Sequence, residues 1–197
     1  MYSICFTIAG VIFSILLFVL YNFKSNLKLL ENKIYYGIIV TTIIAGLIEI
    51  YSFILVRTSI FVNSVLYLFS LKSLFLCFLV WIYLFTIYTV IVTIKDYSRY
   101  RLAIIISTIV FIIVSLTTMI LPIDIIETDG LLLPTGVGVD IIYVLSLILF
   151  IIMISVIISN RRNLKNKKYY PMYFLLVILG IMIIVQKIFP SLLLINF

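Results

Sequence analysis

Six long runs of apolar residues alternate with short polar connections along this chain. A helix rises 1.5 Å per residue, so about 20 residues cross the roughly 30 Å hydrocarbon layer of a bilayer, and each run has about that length. Membrane β-strands would alternate polar and apolar residues, which these runs do not. The pattern predicts an all-α fold, a single polytopic membrane helix bundle of residues 1–197. Its six transmembrane helices are predicted at residues 3–22, 34–56, 72–94, 102–121, 140–159 and 171–189.

The composition supports the membrane class. Hydrophobic residues make up 65% of the chain and charged residues 11%, with a mean hydropathy of +1.39. Soluble domains are about 45–50% apolar and about 25% charged. These values exclude a water-soluble core.

The charges in the connections predict how the bundle is oriented. Three connections are basic, and the connection between helices 4 and 5 holds four acids and no base. Because short loops rich in Lys and Arg stay in the cytoplasm, the acidic connection and both termini are predicted to lie outside. The basic residues are Lys24, Lys28, Lys33, Lys95, Arg99, Arg101, Arg161, Arg162, Lys165, Lys167 and Lys168, and the acids are Asp124, Glu127, Asp129 and Asp140.

The segment from Ile60 to Leu71 is too apolar for an ordinary exposed loop. Two interpretations stay open: an external helix lying in the membrane interface, or an extension of helix 3 by a turn or two. The net charge of +7 follows from basic cytoplasmic loops that lie against anionic lipid. Membrane lipid is therefore a predicted partner, and nucleic acid is not.

Glu49 is the one acid inside a predicted span. A charged side chain at hydrocarbon depth is unfavourable unless it is paired with an opposite charge or hydrated. Lys72 and Lys187, with Gln186 beside the latter, are predicted at similar depth, so a cluster of Glu49 with one or both cations is the leading candidate for a ligand-sensing or switching site. The alternative is that both lysines extend into the headgroups while Glu49 is protonated or held by a neighbouring Ser or Thr.

The polar face of helix 2 extends this candidate site. Thr42, Ala45, Glu49 and Ser52 lie at offsets 0, 3, 7 and 10, which places them on one side of a helix. This face is predicted to pack inward, with Thr42 and Ser52 as further ligand-contact candidates. Plain contact between helices is the alternative role, since small and hydroxylated residues are common packing material in membranes.

The external loop, residues 122–139, is the second candidate site. Its acids Asp124, Glu127, Asp129 and Asp140 could bind a cationic ligand or cap a cavity. The alternative is an acidic translocated loop whose glycines only make turns.

Catalysis has little support in the sequence. The chain has no His, which rules out Ser–His and Cys–His pairs and His metal sites. Cys5 and Cys77 lie in apolar surroundings, where thiols are unreactive. We therefore predict no enzyme activity, catalytic residue, metal or cofactor.

Several stretches resemble the membrane-spanning amino-terminal sensor region of histidine kinases and related signalling proteins of low-GC Gram-positive bacteria. The resemblance covers most of the chain and rests on LENKIY at 30–35, WIYLFTIY at 81–88, GVD at 138–140, KKYYP at 167–171, QKIFP at 186–190 and LLLIN at 192–196.

The resemblance implies a sensor in the bacterial cell membrane, dimeric, joined to a cytoplasmic kinase that transfers phosphate through a histidine. This chain has neither the phosphoacceptor histidine nor a nucleotide-binding motif. A cytoplasmic signalling domain would also require a seventh helix after Asn196. The expectation is a truncated sensor module of a two-component-type signalling protein, or an orphan membrane protein derived from one.

Two other classes of function stay open. Six-helix substrate-binding subunits of vitamin transporters have about this length, so small-molecule uptake is one alternative. The other is a membrane assembly partner without a ligand, in which another chain covers the Glu49 face.

Overall fold

The computed structural model describes residues 2–23, 30–57, 65–93, 97–128, 131–159, 176–177 and 180–181. Within these ranges the chain forms five helices and one two-stranded sheet. They are α1 (Tyr2–Phe23), α2 (Leu30–Arg57), α3 (Val65–Thr93), α4 (Tyr97–Ile120), β1 (Asp124–Thr128), β2 (Leu131–Thr135) and α5 (Val137–Ser159).

The helical class is confirmed, and α1 to α5 overlap the first five predicted spans. The predicted sixth helix, 171–189, falls mostly outside the described residues, although residues 176–177 and 180–181 are helical. Helix α3 begins at Val65. The segment from Ile60 to Leu71 is therefore an extension of helix 3 from Val65 onward, which is the second of the two interpretations. Residues 60–64 lie outside the described part.

Three helices have the length and composition of membrane spans: Leu30–Val56, Val65–Thr93 and Val137–Ser159. Helices α1 and α4 contain shorter apolar stretches, Thr7–Phe23 and Ile104–Ile120.

The described residues up to Leu84 belong to one compact unit, and those from Phe85 belong to a second. In the first unit, α1 and α2 pack as an antiparallel pair. Ile39, one of the buried residues of α2, is 6% exposed. The first part of α3 adds Tyr67, Phe75 and Leu79, the last of which is fully buried.

In the second unit, α4 packs against α5, and the segment between them forms a β-hairpin. The register pairs Asp124 with Thr135 and Thr128 with Leu131. Gly136 then has a φ of 105°, a left-handed conformation that glycine adopts without strain. Its carbonyl accepts the first helical hydrogen bonds of α5, from the amides of Val139 and Asp140. The segment predicted as an irregular loop is therefore mostly ordered structure.

Polarity is distributed as expected for a protein in lipid. Large apolar side chains are exposed along the helices, including Phe13 at 62%, Leu116 at 61% and Ile158 at 63%. Among the described residues the buried polar side chains are all hydroxylated: Ser14, Ser52, Ser70, Thr86, Thr89, Thr93, Ser107, Thr118 and Ser146. A Ser or Thr hydroxyl can donate a hydrogen bond to a backbone carbonyl of its own helix, as Thr89 does to Phe85 over 2.9 Å. Such side chains can therefore be buried without a charged partner.

Candidate functional site

Glu49 is hydrogen-bonded to Thr7 across the pair formed by α1 and α2. The Thr7 hydroxyl donates to Glu49 Oε1 over 3.1 Å, and both side chains are partly buried. The carboxylate lies eight residues before the end of α2, about 12 Å along the helix axis. The site thus joins an acid and a hydroxyl from two apolar helices.

The register of the two helices explains why these residues meet. On α1 a stripe spaced by four and three residues faces α2, made of Thr7, Val11, Ser14, Phe18 and Tyr21. This spacing keeps one side of a helix in contact with a neighbour along its length. In an antiparallel pair the contacts run in opposite directions, so Thr7 meets Glu49 at one end and Phe18 meets Tyr36 at the other.

Gly46 allows the close approach near the site. A Cβ added at Gly46 would clash with Cγ2 of Val11. Gly46 lies one turn before Glu49 on α2, and Val11 lies one turn after Thr7 on α1. The missing side chain at position 46 therefore brings the backbones close enough for the short Thr7 side chain to reach the carboxylate.

Aromatic contacts hold the other end of the pair. The rings of Tyr21 and Tyr35 have centroids 5.4 Å apart, and those of Phe18 and Tyr36 are 5.1 Å apart. The Tyr21 hydroxyl also donates to the carbonyl of Asn32 over 3.0 Å. Such ring pairs stabilise a contact beyond the area that they bury, so they contribute to holding this end of the pair together.

A second polar contact joins α2 to α3. The Ser52 hydroxyl donates to Ser70 Oγ over 3.0 Å, and both side chains are buried. Ser70 in turn donates to the carbonyl of Tyr67 over 2.8 Å. At the far end of the two helices, Gly37 faces Leu84. These two contacts show that α2 and α3 are antiparallel and that Glu49 is level with residues 72–73 of α3.

Helix rotation places Lys72 away from the carboxylate despite this shared level. With 3.6 residues per turn, Lys72 lies about 200° around α3 from Ser70, which faces α2. Ser73, about 60° from Ser70, is on the side of α3 that faces α2. The hydrogen-bond partner that the structure gives to Glu49 is Thr7.

The remaining candidates of helices 2 and 6 are distributed as follows. Ser52 faces α3, as described, while Thr42 is exposed and donates to the carbonyl of Ile38 in its own helix over 2.9 Å. The predicted inward face of helix 2 is therefore divided: Glu49 contacts α1, Ser52 contacts α3 and Thr42 is turned outward. Gln186 and Lys187 lie outside the described residues.

The acids of the hairpin do not form a described cluster. Asp124 and Asp140 are exposed, the side chain of Glu127 is not described, and Asp129 lies outside the described residues. Within the ranges that the structure describes, no group of three or more acidic, Cys or His side chains could hold a metal ion. Cys5 is exposed, Cys77 is half-buried, and neither is in a disulfide.

Sequence reasoning missed three residues of the site: Thr7, Gly46 and Ser70. The signal for Thr7 was the four-and-three spacing of small and aromatic residues on helix 1, which marks the side that faces a neighbour. The signal for Gly46 was a glycine one turn from the intramembrane acid.

Comparisons with protein-family models, with curated proteins and with solved structures find no match to this chain.

Proposed function

We propose that this chain is a signal-sensing module of the bacterial cell membrane, with six spans and both termini outside. The three long apolar helices support the membrane location, and the charge bias of the connections supports the orientation. The resemblance to histidine kinase sensor regions supports the signalling role. In the complete signalling protein, a seventh helix would join the module to a cytoplasmic domain, and two copies would form a dimer.

The bond between Thr7 and Glu49 is the observation that carries the proposal. It links two helices at a depth where an acid is unfavourable without a partner. Hydrogen bonds between membrane helices contribute on average only about 0.6 kcal/mol. A ligand can therefore break this one at a small cost in free energy. A ligand that binds the carboxylate in only one arrangement of α1 and α2 would then shift the population of that arrangement.

The aromatic contacts suggest how the shift is transmitted. They fix α1 against α2 at the end that holds Tyr21 and Tyr35. The contacts described near Glu49 are a hydrogen bond between two side chains and the close approach of Val11 to Gly46. Breaking the Thr7–Glu49 bond would let α1 pivot about its aromatic end. A pivot of this kind is a helix movement that a partner domain can detect.

Spin-label distances test the sensing role. Nitroxides at Ile12→Cys and Leu47→Cys, two exposed positions near Glu49, would be placed in a background with Cys5→Ser and Cys77→Ser. We expect two distance populations in nanodiscs, with their ratio changed by Glu49→Gln and by replacing phosphatidylcholine with phosphatidylglycerol. Thr42→Val, which removes an exposed hydroxyl bonded within its own helix, is the control and should leave the ratio unchanged. One distribution that is identical in every variant and lipid would contradict sensing and favour an assembly role.

Thiol labelling tests the orientation separately. In the same cysteine-free background, Gly130→Cys should react with a membrane-impermeant maleimide in intact cells, and Asn163→Cys should react only after the cells are opened. The reverse pattern would overturn the proposed orientation.

A further inference from the structure

The hairpin between α4 and α5 has an unpaired strand edge. Two residues separate its strands, and in such a hairpin the flanking pair, Thr128 and Leu131, exchanges backbone hydrogen bonds. Bonded and non-bonded pairs then alternate along the antiparallel ladder. Ile125, which is opposite Pro134, therefore points its amide and carbonyl away from β2, and among the described residues no group bonds to them. The outer edge of β1 can accept a further strand at this position.

The outer edge of β2 is less suitable for an added strand. Pro134 has no amide N–H, so this edge lacks a donor at the position opposite Ile125. Strand β2 also contacts α5, and Pro134 is buried. A third strand would therefore pair with β1.

The charges around this edge are negative. Residues 122–140 contain four acids and no base, and two of the acids, Asp124 and Glu127, belong to β1. Asp124 is exposed, and the nearby apolar side chain of Ile126 is 51% exposed. A second copy of β1 would bring four carboxylates to one junction, where they would repel each other. A cationic strand would be attracted to the same edge.

We propose that β1 binds an extended cationic peptide as a third strand, by the addition to a sheet edge that several peptide-binding domains use. This is a second ligand site, separate from the contact between Thr7 and Glu49. It rests on the proposed function in one respect, because the proposed orientation places the hairpin outside the cell, where a peptide in the medium can reach it.

The register of β1 determines which residues the peptide needs. In an antiparallel third strand, the peptide residue opposite Ile125 exchanges two hydrogen bonds with it. The following peptide residue is then opposite Asp124, and the residue two positions earlier is opposite Glu127. Directly opposite side chains interact on one face of a sheet, so a basic residue at each of these two places would be paired with an acid. The expected motif is a basic residue, two apolar residues and a second basic residue.

Peptide binding to the purified chain tests the site. The labelled peptide Thr-Lys-Val-Ile-Lys-Thr would be titrated in phosphatidylcholine nanodiscs and followed by fluorescence anisotropy, with empty nanodiscs as the control for binding to lipid. We expect saturable binding that weakens as salt is added. The peptide Thr-Val-Lys-Lys-Ile-Thr should bind more weakly, because it has the same charge but its adjacent lysines cannot be opposite both acids.

Substitutions in the chain test the assigned acids. Asp124→Asn and Glu127→Gln should each lower the affinity about two- to fivefold, as expected for an exposed ion pair. Glu31→Gln, which removes an acid in the first turn of α2, is the control and should leave the affinity unchanged. Equal affinities in the wild type, Asp124→Asn and Glu127→Gln would overturn the proposal.

Methylation of the peptide backbone separates strand addition from charge attraction and leaves the protein unaltered. A methyl group on the amide nitrogen of the peptide isoleucine, the residue opposite Ile125, removes a hydrogen bond to β1 and should weaken binding about three- to tenfold. The same group on the valine, whose amide points away from β1, should have little effect. The absence of binding, or an equal effect of both methyl groups, contradicts a third strand.

A second copy of the chain is the competing occupant of the edge. In the cysteine-free background, Ile126→Cys places a thiol at the centre of β1. A disulfide between two copies that forms without peptide, and that the peptide does not reduce in yield, would assign the edge to the second copy and overturn the proposal.

The two proposals fail in different ways. If the peptide binds as expected but the distances between Ile12→Cys and Leu47→Cys are identical in every variant and lipid, the peptide site stands and the sensing role fails. If those distances respond to Glu49→Gln but no peptide binds, the sensing role stands and the peptide site is wrong.

Discussion

The Thr7 hydroxyl donates a 3.1 Å hydrogen bond to Glu49 Oε1, so the intramembrane acid of α2 is bonded to the helix before it in the chain. The sequence predicts Lys72, Lys187 or both beside Glu49. Lys72 is level with Glu49 and lies about 200° around α3 from Ser70, and Lys187 lies outside the described residues. The pair formed by α1 and α2 therefore contains both partners of the contact.

A double-mutant cycle measures this contact. Thr7→Val keeps the shape of the side chain and removes the donor, while Glu49→Gln removes the charge. We expect a coupling free energy of about 0.5–1.5 kcal/mol, within the range measured for hydrogen bonds between membrane helices. Reversible unfolding in mixed micelles gives the four free energies of unfolding. Zero coupling would mean that the two side chains do not interact in the folded protein.

Gly46→Ala should destabilise the packing of α1 on α2. The new methyl group would meet the Val11 side chain, which is stiff because it is branched at Cβ. Overpacking of this kind costs about 1–3 kcal/mol in the free energy of unfolding. Val11→Ala should restore part of the loss. Gly10→Ala is the matched control, since a Cβ there would have no atom within 4 Å, and it should leave stability nearly unchanged.

Disulfide trapping tests which side of α3 faces α2. With the native cysteines replaced by serine, Ser52→Cys and Ser70→Cys should cross-link readily, because their hydroxyl oxygens are 3.0 Å apart. Ser52→Cys with Lys72→Cys should not cross-link, since position 72 is about 200° around the helix. Gel mobility under non-reducing conditions is the measurement. Equal yields from both pairs would contradict the assigned rotation of α3.

Gly180→Ala should clash with the ring of Phe150 on α5. A Cβ at position 180 would lie 2.7 Å from Phe150 Cζ, and Gly180 is buried. We expect a loss of about 1–3 kcal/mol in the free energy of unfolding, with partial recovery when Phe150→Leu is added. Gly37→Ala is the comparison, because its Cβ would be in ordinary contact with Leu84 at 3.4 Å. A Gly180→Ala variant as stable as the wild type would show that this contact does not form.

Gly136→Ala tests the entry into α5. The φ of 105° strains any residue with a Cβ, and the added carbon would lie 3.2 Å from Asp124 Oδ2. A cost of about 1–3 kcal/mol in the free energy of unfolding is expected from the backbone strain. Gly138→Ala should also be unfavourable, because its Cβ would lie 3.1 Å from the carbonyl oxygen of Pro122, although no left-handed strain is added there.

The hairpin between α4 and α5 could have been predicted from the sequence. Asp129 and Gly130 separate β1 and β2, two strands of five residues each, and Asp-Gly is a strong signal for a two-residue hairpin turn. The acids Asp124 and Glu127 interrupt the apolar residues of β1, so its hydropathy pattern is weaker than that of LLL in β2. Pro134 lies in β2 opposite Ile125, because a two-stranded sheet has only edge strands, where proline is tolerated.

The sequence alone determined where α1 to α5 lie, because the length and hydropathy of a membrane helix are local properties of its own residues. The partner of Glu49 was decided only by the tertiary structure. In lipid, any side of an apolar helix can face outward, so the pattern of apolar residues does not reveal which side faces a neighbour. Rotation and register are set instead by contacts such as Gly46 with Val11 and Ser52 with Ser70, which the folded chain brings together.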